Sequence, residues 1–277
     1  MHVLLSMKKQ YYILSLFISG CLLLCTSSCD NYQKILKSTN HELKYKKVKE
    51  YYNAGQCTKA IPLFEDLMGV YRGSKEAEKL YYFYAYCQYS DANYLMSAYY
   101  FQNFTEIYPN SAYTEDAMYM VGYSHYQMSP NISLEQTETE KAIETLQTFI
   151  NTYPQSDKVA SCNILIDELR LKLEEKAFMS ANLYHKIGNY QAAITSFKNV
   201  LRDFPDTKRK EQISFNILES EYDLAKKSVE TKQADRYSQV IKTYTNFIER
   251  FPQSTYIKDA ERIFSLATNA LKKITAN

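Results

Sequence analysis

The stretch Gly188-Asn189-Tyr190-Gln191-Ala192-Ala193-Ile194-Thr195-Ser196-Phe197-Lys198-Asn199-Val200-Leu201-Arg202-Asp203-Phe204-Pro205-Asp206-Thr207 reads as a tight turn, one amphipathic helix and a forced stop. Ile194, Phe197 and Val200 fall at helical spacing on one face. Phe204-Pro205 ends the helix, because proline disfavours helical geometry in the residue before it. Thr207 then supplies a hydroxyl to cap the next helix by accepting from a free backbone N–H.

The pattern recurs. Tyr108-Pro109, Tyr153-Pro154, Phe204-Pro205 and Phe251-Pro252 have prolines 45, 51 and 47 residues apart, followed two positions later by Ser111, Ser156, Thr207 and Ser254. Eleven positions before each proline come Ala98, Ile143, Ile194 and Ile241; eight before, Phe101, Leu146, Phe197 and Tyr244; five before, Phe104, Phe149, Val200 and Phe247. A fifth copy puts Arg72 in the proline position, with Ala60, Ile61, Phe64, Leu67 and Tyr71 ahead of it and Ser74 behind. Five copies in register predict an array of helix pairs.

The predicted pairs are 41–54 with 57–71, 75–90 with 93–108, 112–128 with 138–153, 157–187 with 190–204, and 208–229 with 234–251, closed by a helix over 255–274. As repeats they span about 41–72, 74–109, 111–154, 156–205 and 207–252, with a closing helix at 254–275, in one domain over 41–277. Ala85, Gly122 and Ala181 supply a small residue in first helices, and Ala193, Phe197 and Pro205 mark a second helix. With the Gly188-Asn189-Tyr190 turn, this pattern resembles the tetratricopeptide repeat. The resemblance implies an all-α superhelix whose first helices line an extended concave face.

Registered on Ala85, the implied concave positions are Tyr82, Tyr86 and Tyr89; on Gly122 they are Tyr119, Tyr123 and Tyr126; on Val48 they are Tyr45, Lys49 and Tyr52. The fourth repeat breaks the run with Phe178, Asn182 and His185. Tyrosine at helical spacing is ordinarily core, yet Tyr81 and Tyr84 are available for packing on the same helix as Tyr82. The eight tyrosines are therefore expected to present a groove for an extended or amphipathic peptide rich in aromatics. A rigid ring with a hydroxyl suits that task.

The N-terminus carries a different signal. Lys8 and Lys9 precede an uncharged 15-residue stretch, Tyr11 to Cys25, and small residues Thr26, Ser27 and Ser28 lead to Cys29. That order is a secretory signal, and the stretch falls short of the roughly 20 apolar residues a membrane span needs. The basic region fits a start at Met7 better than at Met1. Small residues before a cysteine resemble a bacterial lipobox, which implies cleavage after residue 28 and a covalent lipid on Cys29. Residues 29–40 would then be a lipidated tether. Cys21 also fits, but would leave Leu22, Leu23 and Leu24 exposed, and Cys25 follows the bulky Leu24. An ordinary secretory signal without lipid is the plain alternative.

Composition excludes more than it assigns. The chain has 33 basic and 31 acidic residues, and loss of Lys8 and Lys9 leaves the mature part near neutral, without the basic footprint of a nucleic-acid binder. Cys57, Cys87 and Cys162 lie in apolar helical patterns and are expected as small buried residues rather than a disulfide framework. His2, His41, His125 and His185 are scattered, with no zinc spacing, phosphate loop or nucleophile elbow. Asp167, Glu168, Glu174 and Glu175 read as solvated helix face. The expectation is no catalytic residue, no metal and no cofactor apart from the lipid.

The lipid start with five repeats directly after it, the opening Cys29-Asp30-Asn31-Tyr32-Gln33-Lys34-Ile35-Leu36-Lys37-Ser38, and the runs at 81–87 and 149–154 resemble the BamD family of outer-membrane assembly lipoproteins in its Bacteroidetes-type form. The resemblance covers the whole mature chain. It implies a non-catalytic subunit of the β-barrel assembly machine, lipid-anchored on the periplasmic face of the outer membrane. It implies as partners the barrel-forming subunit, reached through C-terminal repeats, other subunits of the complex, and unfolded outer-membrane proteins, reached through N-terminal repeats. The competing reading is a tetratricopeptide lipoprotein scaffold for another envelope complex, in cell-wall synthesis or secretion.

Overall fold

The structure, a computed structural model, describes residues 31–276. The expected signal segment, residues 1–28, and the expected lipidation site Cys29 lie outside the described residues. Residues 31–36 are helical (α1). Then follow α2 (His41–Asn53), α3 (Cys57–Val70), α4 (Lys75–Ser90), α5 (Tyr94–Ile107), α6 (Thr114–Met128), α7 (Thr137–Thr152), α8 (Val159–Lys186), α9 (Tyr190–Asp203), α10 (Lys210–Lys226), α11 (Glu230–Arg250) and α12 (Ile257–Thr275). No strand occurs among the described residues. The described residues form two compact units: one runs up to Ser129 and takes in Thr137–Asn163, the other takes in Pro130–Gln136 and the chain from Ile164 onward.

The repeated stripe is the core. Phe64, Phe101, Phe104, Leu146, Phe149, Phe197 and Val200 are all essentially inaccessible to solvent. In the first unit Phe64 packs with Val48, Leu63 and Leu80, and Phe101 and Phe104 pack with Ala85, Ala117 and Val121. In the second unit Phe197 packs with Phe178, Ala181 and Ile213, and Phe247 with Leu218, Val240 and Ile263. The small first-helix residues permit this closeness. A Cβ at Gly122 would stand 2.8 Å from the Leu146 side chain, so only glycine lets α6 lie this near α7.

The aromatic–proline turns have one geometry. The N–H groups of Tyr108, Tyr153, Phe204 and Phe251 donate to the carbonyls of Phe104, Phe149, Val200 and Phe247, and the helix stops there. The expected capping role of the hydroxyls needs correction. Ser111, Ser156, Thr207 and Ser254 accept from the N–H two residues on, at 3.0 to 3.2 Å, and so build a separate turn ahead of helices that start two residues later than expected. Three of them also donate to a glutamate of the preceding first helix: Ser111 to Glu78, Thr207 to Glu174 at 2.6 Å and Ser254 to Glu211 at 2.5 Å. Glu174 is thus a structural acceptor and not solvated face. Glu175 likewise pairs with Arg209.

Two further expectations change. Cys57 and Cys87 form a disulfide, while Cys162 is free and buried. Cys57 opens α3 and Cys87 lies in the last turn of α4; in an antiparallel pair these come to the same height, with Cα atoms 5.0 Å apart. The three cysteines are one pair and one buried thiol. Within the stretch expected as tether, residues 31–36 are helical, and Ile35 is 6% exposed and packs with Val48 and Cys57.

Within a pair, the turn between helices uses the left-handed region: Gly55 at φ +67° and Gly188 at φ +80°. Ala92 occupies the same place at φ 59° without glycine's freedom. Ala92→Gly should raise the unfolding free energy by about 1 kcal/mol, read from a urea melt. Replacing Cys57 and Cys87 together by serine should remove about 3 to 4 kcal/mol, the closure entropy of a loop of this length, read as a lower melting temperature.

Candidate functional site

The tyrosines expected on the first helices all fall in the first unit. Seven of them, Tyr45, Tyr52, Tyr86, Tyr89, Tyr119, Tyr123 and Tyr126, are half-buried. Tyr82 differs: it is 8% exposed, stacked on Tyr113 at 4.5 Å and packed on Phe101 and Phe104. It belongs to the core, and its part is to position its neighbours.

The rings form a connected layer. On α2, Tyr45 packs on Tyr71 at 5.3 Å under the Lys49 amine, and Tyr52 packs on Phe83 of α4 at 4.4 Å. On α4, Tyr86 meets Phe101 edge-on at 5.0 Å, and Tyr89 reaches Tyr94 at 5.3 Å and Tyr123 of α6 at 5.9 Å. On α6, Tyr119, Tyr123 and Tyr126 stack in sequence, with centroids 5.6 and 5.8 Å apart and planes 15° and 8° from parallel.

One carboxylate holds the layer, and its importance is not visible in the sequence. Asp116, in the first turn of α6, accepts from the Tyr82 hydroxyl at 2.6 Å and from the Tyr86 hydroxyl on the same oxygen. Its other oxygen lies 3.2 Å from the Lys158 amine, which also sits 5.1 Å from the Tyr119 ring centre. An acid in a first helical turn is ordinarily a solvated partner of the helix dipole; here it joins α4 to α6. The spacing that breaks the run gives polar, internally bonded groups in the second unit: Asn182 with Asn216 at 3.3 Å and His185 with Ser220 at 2.8 Å.

The electrostatics keep the hydroxyls protonated. Burial, then the bond to Asp116, pushes the Tyr82 and Tyr86 phenols up; burial and Tyr123 push Tyr89 up to about 12. Burial also raises Tyr45, Tyr52 and Tyr119. Neutral phenols in a half-buried layer can bind apolar rings and donate to backbone carbonyls; they offer no nucleophile. Among the described residues no group of three or more His, Cys, Asp or Glu is placed to hold a metal ion, and no helix is long and apolar enough to cross a membrane.

Stacked helix pairs with a tyrosine layer define a helical-repeat protein. Residues 37–236 match the sequence model of the family described as YfiO, outer membrane lipoprotein, and the chain belongs to that family. It is 21% identical over 179 residues to the outer membrane protein assembly factor BamD of Caulobacter vibrioides, covering 65% of this chain and 59% of that one. It is 22% identical over 216 residues to the putative outer membrane protein assembly factor BamD of Aquifex aeolicus, covering 77% and 70%. Among solved structures it is similar to the TPR2AB domain of yeast Sti1 in complex with an HSP90 peptide, at TM-score 0.39 and 11% identity over 82% of this chain and 98% of that one. It is similar also to the P58(IPK) TPR domain, at TM-score 0.39 and 12% identity over 90% and 66%.

The raised phenols link stability to pH. Their folded-state values lie above the ordinary 10.0, so the stability they contribute is complete below that pH and is lost as pH rises through the folded values. The urea midpoint should hold between about pH 7 and 9 and fall above about pH 10, with tyrosinate absorbance rising in step with loss of helicity.

Proposed function

We propose that the chain is a non-catalytic outer-membrane protein assembly factor, anchored through a lipid on Cys29 at the periplasmic face, whose tyrosine layer receives unfolded segments of barrel proteins. Membership of the outer membrane lipoprotein family supports the setting. The observation that carries the binding role is the parallel stack of Tyr119, Tyr123 and Tyr126. Its rings are 5.6 and 5.8 Å apart, close to the roughly 6.5–7 Å between same-side residues of an extended strand. Aromatic side chains of such a strand can lie against the accessible part of these rings. The second unit, with its polar positions at Asn182 and His185, is left for the barrel-forming subunit and other members of the complex.

Tyr82→Ala is unsuitable as a probe, because a buried ring and the bond to Asp116 go together, at a cost of about 3 to 5 kcal/mol. Tyr123→Ala with Tyr126→Ala is suitable. The double variant should keep its helical circular dichroism and weaken binding of a labelled C-terminal barrel-protein peptide about tenfold or more, measured by anisotropy. Unchanged affinity would remove the tyrosine layer from peptide recognition.

A further inference from the structure

We infer that the edge of the first unit made by the α2–α3 and α4–α5 turns is the face turned toward the lipid headgroups; this rests on the reading of Cys29 as the lipid-bearing residue. The route of the N-terminus carries the inference. The Tyr32 hydroxyl donates to the Lys59 carbonyl at 3.2 Å, and the Tyr32 ring meets Tyr51 edge-on at 5.9 Å. Ile35, one turn further, is buried against Val48 and Cys57. The start of α1 is therefore held at the last turn of α2 and the first turn of α3.

The neighbouring turn lies at the same level. Thr58 donates to Asp91 at 3.2 Å, and Cys57 is bonded to Cys87. Three residues separate Cys29 from Tyr32, a reach of at most about 11 Å. The 14 residues of α3 span about 21 Å, so the opposite edge, with Arg72 and Asn110, is out of that reach. A lipid on Cys29 brings the first edge to the bilayer and leaves the second in water.

The chemistry of the first edge is compatible with headgroup contact. Ala54, Gly55, Gln56, Ala92 and Asn93 are exposed and uncharged. Charges nearby are engaged, Lys59 by Gln56 at 3.2 Å, Asp91 by Thr58 and Glu50 by Lys47 at 2.6 Å. Leu95 and Tyr99, one turn apart on α5, are 61% and 56% exposed, an apolar and aromatic pair suited to headgroup depth. The α3–α4 turn at the far edge carries Arg72, Lys75 and Glu76, and Val70 and Ile107 beside it are 50% and 56% exposed, so the reach of the N-terminus is what separates the two edges.

The test uses the full mature chain, purified with its lipid and placed in vesicles of phosphatidylethanolamine and phosphatidylglycerol. Asn93→Cys and Leu95→Cys report one edge, Arg72→Cys and Asn110→Cys the other, each carrying an environment-sensitive fluorophore. The native cysteines do not compete, being paired or buried. Spin-labelled headgroups should quench and blue-shift the first two labels and leave the last two unchanged. Equal quenching at both edges, or stronger quenching at Arg72 and Asn110, on a chain whose Cys29 mass shows acylation, overturns the orientation alone. A Cys29 without lipid by mass spectrometry overturns the lipid-anchor reading and the orientation together.

Discussion

A proline one residue beyond the last helical hydrogen bond compels this chain to reverse, and the reversal is what the rest of the structure depends on. Phe104, Phe149, Val200 and Phe247 each accept the final N–H from the aromatic before the proline, so the same residue closes the helix and fills the core. The hydroxyl beyond the proline then acts in two directions. It accepts from the backbone ahead and, in three of the turns, donates to a glutamate on the first helix of the repeat behind. Within the first unit α4 is thereby held beside α6, and within the second α10 beside α8 and α12 beside α10.

That alignment determines what the tyrosines can do. With α4 and α6 adjacent, Asp116 lies within reach of two phenols from the other helix, and Tyr89 reaches Tyr123. Fixing rings before any ligand arrives lowers the ordering cost that flexible aromatic surfaces carry on binding. The layer is neither open groove nor sealed core. Tyr82 is taken up in packing, and the α6 stack keeps part of each tyrosine accessible.

The helix pairs were legible because two independent periodicities agree: helical spacing within each stripe, and the aromatic–proline–hydroxyl spacing between stripes. Helix starts were less so, since a hydroxyl that bonds the N–H two residues on looks, in sequence, like a cap. Burial of Tyr82 could not be told from that of Tyr86 or Tyr89, because all three share a face and only the neighbouring helix decides which ring is covered. The Glu78–Ser111 and Glu174–Thr207 bonds do leave a trace, a common separation of 33 residues, but an isolated glutamate on a helix carries no mark of it. The disulfide was missed for a related reason. Cys57 and Cys87 are 30 residues apart in sequence and become neighbours only through the antiparallel return of α4 on α3.

The order of the cysteines has a consequence for oxidation of the chain as it is made, N-terminus first. Among the cysteines of the described residues Cys57 comes first and Cys87 next, and they are the correct pair. Cys162 follows 75 positions after Cys87 and is destined for burial beside α6. An oxidant that joins thiols in order of arrival therefore makes the native bond before the competing thiol exists. Burial, which pushes the Cys162 thiol up to about 11, then keeps that late thiol protonated and inert to exchange.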